Sequence, residues 1–157
     1  MSRTPVAISL GSNIGDRAAH LTFAIGELSR LLENVRVSRV IETAPEGVPD
    51  EQGPFLNAAA IGTTELGPRE LLASLHAIER RDGRERPYRY APRTLDLDLI
   101  LYGTQVLKVE GLEVPHPRFR ERRFVLAPLA EIAADWQDPV TGSTIIALLR
   151  SLPGAPA

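Results

Sequence analysis

The run Thr94-Leu95-Asp96-Leu97-Asp98-Leu99-Ile100-Leu101-Tyr102 constrains the fold more than any other part of the chain. Leucine and aspartate alternate residue by residue, the period of a strand whose side chains take opposite faces. Leu95, Leu97, Leu99 and Leu101 form one apolar row that other elements must cover. Thr94, Asp96, Asp98 and Ile100 take the other face. The strand rise sets the two carboxylates about 7 Å apart on one rigid element. Like charges so placed repel unless a cation intervenes. One or two carboxylates, with the remaining positions left to water and phosphate, is how magnesium is held in phosphoryl-transfer sites. An exposed sheet face whose aspartates meet nearby arginines fits the same run, and the run alone leaves both readings open.

The rest of the chain alternates between strand and helix patterns. Val6–Leu10 reads as a short buried strand ending in the turn residues Gly11-Ser12-Asn13-Ile14-Gly15-Asp16. Leu21, Ala24, Ile25, Leu28, Leu31 and Leu32 then recur at helical spacing, with Asn34 as the expected end. Val35–Ile41 alternates as a half-exposed strand. Residues 42–54 read as a long surface loop, followed by a strand over Phe55–Thr63. Pro68 suits the first turn of a second helix carrying Leu71, Leu72, Leu75 and Ile78, and Gly83 suits its end. A second loop, Arg84–Pro92, leads into the aspartate strand. Beyond it, Gly103-Thr104 reads as a turn with Val106–Val109 pairing back as a hairpin. Helices are expected over Phe124–Ala133 and around Ile145–Leu152. This order predicts an α+β fold, with helices packed on a mostly antiparallel sheet. No repeat, linker or low-complexity segment divides the chain, so residues 1–157 read as one domain.

Composition narrows the chemistry. The 157 residues include no cysteine, which excludes thiol catalysis and zinc–cysteine sites. No apolar run approaches the ~20 residues of a membrane span, and the N-terminus lacks the pattern of a signal peptide. The expectation is a soluble cytoplasmic protein with no membrane partner. A net charge of −2 gives no bulk attraction to nucleic acid. Of eighteen basic residues only Lys108 is lysine. Six arginines fall between Arg80 and Arg93 and four between Arg118 and Arg123. Such clusters in an acidic chain mark either an anion site or a solvated surface.

With no G-x-x-x-x-G-K-[ST] or G-x-G-x-x-G present, arginines and metal ions must hold any nucleotide phosphates. Arginine suits that task because its planar fork binds phosphate oxygens bidentately. Arg84, Arg86, Arg89 and Arg93 lie nearest the aspartates in sequence. His116, between two prolines and ahead of the second arginine cluster, is the histidine best placed for an anion, whereas His20 and His76 fall on helices. Phe55, Tyr90 and Phe124 are aromatics in or beside loops, where a planar ligand can stack.

At Pro92-Arg93-Thr94-Leu95-Asp96-Leu97-Asp98 the chain closely resembles the 6-hydroxymethyl-7,8-dihydropterin pyrophosphokinases of folate biosynthesis. Further matches follow in order: Gly11-Ser12-Asn13, Phe55-Leu56-Asn57-Ala58-Ala59, Ile78-Glu79 with Gly83-Arg84, Val114-Pro115-His116-Pro117-Arg118, and Glu121 through Leu129. The resemblance implies a ferredoxin-like core and a reaction in which the pterin hydroxymethyl oxygen attacks the β-phosphorus of ATP, giving AMP and the pterin diphosphate. It implies that Asp96 and Asp98 bind two Mg²⁺ ions, and that Arg84 and Arg93 stabilise charge on the transferring group. On the nucleotide side it places His116 and Arg122, and more loosely Glu79, Arg86 and Leu99. On the pterin side it places Gly11, Thr43, Phe55, Asn57, Tyr90 and Phe124.

Some positions depart from the family pattern. Phe55 stands where tyrosine is common, Tyr90 where tryptophan is common, and Ala44 and Gly111 where proline and arginine occur. The expectation is a monomer acting on two small molecules. The rival readings are another metal-dependent phosphotransferase or nucleotidyltransferase, and a noncatalytic ferredoxin-like binding module.

Overall fold

The structure is a computed structural model that describes residues 3–13, 15–43, 54–83 and 94–153. In chain order its first elements are β1 (Thr4–Ser12), α1 (Arg17–Leu31), β2 (Glu33–Val37), β3 (Ile41–Thr43) and β4 (Phe55–Thr64). Then come α2 (Pro68–Asp82), β5 (Asp96–Tyr102), β6 (Leu107–Val109), β7 (Leu112–Val114), a 3₁₀ turn (Phe119–Glu121), α3 (Arg123–Ala133) and α4 (Ile145–Arg150). The main sheet runs β2-β4-β1-β5, antiparallel throughout, with β3 also on β4. Leaving β3 aside, this is the β-α-β-β-α-β order of a ferredoxin-like core, as expected.

Helices cover both faces of the sheet. Val6, Ile8 and Leu10 of β1, Ala60 of β4, and Leu97 and Leu99 of β5 pack with Leu21, Ala24 and Leu28 of α1 and Leu71, Leu75 and Ile78 of α2. Ala7, Ala59, Ile61 and Leu101 pack on the other side with Val125, Leu126 and Leu129 of α3 and Ile145 of α4. Local chemistry sets the helix starts. The Asp16 side chain accepts from the Ala19 N–H at 3.1 Å. Pro68 occupies the first turn of α2, where a missing N–H costs nothing.

Three features differ from the sequence expectation. The leucine row breaks after Leu99: Ala7 pairs with Leu101 but Ile8 pairs with Leu99, so Ile100 is the extra residue of a bulge. Leu101 thereby joins Ile100 in the core beneath α3 and α4. Second, the strand expected over Val35–Ile41 stops at Val37, and β3 begins at Ile41 and runs to Thr43, into the stretch expected as a loop. Between them the Ser38 N–H donates to Ala59 O at 2.9 Å, and Ser38 Oγ accepts from the Ala59 N–H at 2.9 Å, so a side chain replaces the backbone ladder. Asn34 lies inside β2 with φ 56°, a conformation asparagine tolerates, and α1 has already ended at Leu31. Third, β6 pairs with β7 and not with β5. Gly103, at φ 55°, donates to Pro5 O at 2.7 Å and turns the chain away from β5, while Gly111 at φ 78° supplies the tight turn between β6 and β7.

Candidate active site

Register assembles the site. Gly11 of β1 lies directly opposite Asn57 of β4 on one side and Asp96 of β5 on the other. Ser9 lies likewise between Ala59 and Asp98. Opposed residues share a face, so both aspartates and Asn57 line one end of the surface whose middle is covered by α3 and α4. The aspartates are half-buried, whereas Ser9, Gly11 and Asn57 beside them are buried.

Around Asn57 the walls are close. Its Nδ2 donates to Thr43 Oγ1 at 2.6 Å. A Cβ at Gly11 would stand 3.3 Å from Asn57 Oδ1 and 3.9 Å from Phe55 Cδ1, so glycine leaves the amide oxygen room. Thr43 and Phe55 are cross-strand partners. Gly11, Thr43, Phe55 and Asn57 thus form one group, and through Gly11 it touches the aspartate strand.

On the other side of the aspartates, the His116 N–H donates to Ile100 O at 2.9 Å and holds that residue against the bulge. Burial pushes the His116 imidazole below its ordinary 6.5, the Asp98 carboxylate pulls it up, and the Arg122 guanidinium pushes it down. The net shift is downward, which favours the neutral ring. Nδ1 accepts from the Arg118 N–H at 3.1 Å, which leaves the ring proton on Nε2. Arg122 lies over the Phe124 ring at 5.5 Å, joining the arginine cluster to an aromatic face. The His116 ring is thus within electrostatic reach of both the Asp98 carboxylate and the Arg122 guanidinium, which lies over the Phe124 ring.

The model of the 7,8-dihydro-6-hydroxymethylpterin-pyrophosphokinase family matches residues 7–134. The chain belongs to this family. It is 44% identical over 147 residues to the 2-amino-4-hydroxy-6-hydroxymethyldihydropteridine pyrophosphokinase of Synechocystis, covering 92% of this chain and 74% of that protein. It is 45% identical over 138 residues to the enzyme of the same name from Bacillus subtilis, covering 87% and 82% respectively. Among solved structures, wild-type Plasmodium falciparum HPPK-DHPS superposes with a TM-score of 0.75 at 13% identity, over 95% of this chain. The chain spans 44% of the length of that protein, and the likeness concerns the fold.

The structure brings together most of the residues that the pyrophosphokinase pattern selects. Arg84, Arg86, Tyr90 and Arg93 lie outside the described residues, as does Ala44. Leu99 is 4% exposed and belongs to the core beneath α1 and α2, so its side chain lines the helix side and not the aspartate side. Glu79 Oε2 accepts from the Leu97 N–H at 2.8 Å, a structural tie to β5. Ser12, His20, Asp82 and Thr94, none of them singled out as a site residue from the sequence, also meet beside the start of β5. Thr94 O accepts from Ser12 Oγ at 2.5 Å, and Thr94 Oγ1 donates to Asp82 Oδ2 at 2.7 Å. The sequence sets Ser12 in the Gly11-Ser12-Asn13 match and Thr94 in the match around the aspartates, and gives no sign of His20 or Asp82.

Proposed function

We propose that the chain is a single pyrophosphokinase domain that uses ATP as co-substrate and magnesium held by Asp96 and Asp98. In this reading it works as a soluble, cytoplasmic monomer. Pyrophosphoryl transfer to hydroxymethyldihydropterin, a step of folate biosynthesis, is the activity of the family and of this chain. The observation that carries the finer reading is the row Asn57–Gly11–Asp96, in which a buried amide and a carboxylate face the same side of the sheet with only a glycine between them.

The donor set suits magnesium. Two hard carboxylates share a strand face, and among the described residues no group of three histidines, cysteines, aspartates or glutamates forms a closed cage. Magnesium needs octahedral oxygen and keeps positions for water and phosphate, whereas zinc prefers a compact nitrogen or sulfur set. Two such ions, bound there, would neutralise the phosphate charge.

The chain's own groups have separable tasks. Asn57 reads the pterin's polar edge while Phe124, Phe55 and Tyr90 supply apolar faces, so the hydroxymethyl oxygen is aimed before reaction. His116 Nε2–H donates to a phosphate oxygen with the Arg122 guanidinium near it, and Arg86 is assigned to the nucleotide by the family resemblance alone. Arg84 and Arg93 stabilise charge as the oxygen bonds to the β-phosphorus and the bond to the departing AMP oxygen breaks.

The deciding assay measures AMP release from ATP with and without 6-hydroxymethyl-7,8-dihydropterin and Mg²⁺. AMP should form only when both are present. Asp96→Ala and Asp98→Ala should each lower kcat by on the order of a hundredfold or more with an unchanged circular dichroism spectrum. Near-normal turnover in both variants removes the metal assignment.

A further inference from the structure

We infer that Asp82 is a positioning residue: bridging His20 and Thr94, it fixes the start of β5 and so the placement of the Asp96 carboxylate. The inference rests on the pyrophosphokinase reading above and adds three residues to it.

Among the described residues β5 is an edge strand, with β1 as its one sheet neighbour. A strand held along one side has little to stop its end from shifting, yet this end carries the proposed metal ligands. Side chains supply the missing restraint. Asp82, the last residue of α2, has a side chain only 7% exposed. Its Oδ2 accepts from Thr94 Oγ1 at 2.7 Å, and its Oδ1 lies 2.8 Å from His20 Nδ1 on α1. Ser12 Oγ ties the Thr94 carbonyl to β1, and Glu79 takes the Leu97 N–H. Residues 94–97 are thereby tied to β1, α1 and α2 within one turn of chain.

Two features argue that this is more than a helix end. A carboxylate at a helix C-terminus faces the negative end of the helix dipole, a place where a cation would stabilise more. Burying it there is costly unless something compensates, and His20 and the Thr94 hydroxyl are the partners found. Gly83, the next residue, also gives way to Thr94: a Cβ there would stand 2.8 Å from Thr94 Oγ1. The hydroxyl is seated against backbone and carboxylate together.

Contact chemistry sets the test. In Asp82→Asn the amide oxygen still accepts from Thr94, and its N–H donates to His20 Nδ1 when the ring proton sits on Nε2. Asp82→Ala loses both contacts. Asp82→Ala and Thr94→Val should lower kcat about tenfold or more, with both KM values within about twofold. Asp82→Asn and Thr94→Ser should recover most of the rate. The same two damaging changes should weaken Mn²⁺ binding by about tenfold in the presence of a non-hydrolysable ATP analogue, read by electron paramagnetic resonance of free Mn²⁺. If Asp82→Ala does not fold, the Thr94 pair decides alone. Wild-type kcat and Mn²⁺ affinity in Thr94→Val, or Asp82→Asn as damaged as Asp82→Ala, overturns the inference. A wild-type protein that makes no AMP, but whose Mn²⁺ binding still responds to these changes, overturns the pyrophosphokinase reading and leaves the positioning role standing.

Discussion

Replacing Asp138 by asparagine isolates a buried ion pair whose strength can be worked out from the structure. The Asp138 side chain is fully buried, and Arg120 grips it through Nε to Oδ2 at 2.5 Å and Nη2 to Oδ1 at 2.9 Å. Thr141 Oγ1 donates to Oδ2 at 2.7 Å and the Val140 N–H to Oδ1 at 3.0 Å. Burial alone pushes the carboxyl up, but these donors outweigh it and hold the group down from an ordinary 3.8 to about 2. That depression corresponds to about 2 kcal/mol of folding stability. The sign follows from the lowered value. The contribution is complete above the unfolded pKa near 3.8 and is lost as pH falls through about 2. Asparagine cannot serve both guanidinium donors, because its amide N–H₂ would face one of them. Asp138→Asn should therefore be about 2 kcal/mol less stable at pH 7. The gap should stay constant down to about pH 5 and close as pH approaches 2. Urea unfolding followed by the fluorescence of Trp136, the only tryptophan, measures it. Subtracting variant from wild type at each pH cancels the other carboxylates. A gap that is absent at pH 7, or unchanged at pH 2, refutes the assignment of this stability to the ionised pair.

Other expectations address the proposed chemistry. Arg93→Ala should lower kcat by on the order of a hundredfold while the KM for ATP changes less than about threefold, as for a group that acts in the transition state. A change confined to KM would make Arg93 a binding group. Asn57→Ala should weaken pterin binding about tenfold, from the ~1–3 kcal/mol cost of unpaired polar partners, with ATP affinity unchanged in calorimetric titration. Equal pterin affinity would place the pocket elsewhere.

The alternating leucines and aspartates made β5 legible because period two is a local property. Its bulge was not, since a one-residue slip at Ile100 exists only relative to Ala7 and Ile8 on another strand. The hairpin was misplaced for a similar reason. Val106–Val109 has apolar character, but whether it returns to β5 or meets β7 depends on where Gly103 and Gly111 aim the chain, and Gly103's turn is fixed by a hydrogen bond to Pro5. Ser38 broke a predicted strand by lending its hydroxyl to the ladder, something composition gives no sign of.

The site divides in the same way. Asp96 and Asp98 could be found from their own neighbours, but the row from Asp96 through Gly11 to Asn57 joins residues on three strands, and only register makes it. Family resemblance supplied those residues without their geometry. Resemblance carries over residues that contact substrates, because their identity is tied to the ligand. It does not reach His20 and Asp82, which lie outside the matched motifs and whose contacts, to each other and to Thr94, span 62 and 12 positions. An edge strand with ligands on one face must be pinned by whatever side chains its particular helices end in. The proposed pinning set of His20, Asp82 and Thr94 is drawn from α1, α2 and the residues leading into β5. It was the part of the site that only the three-dimensional arrangement could disclose.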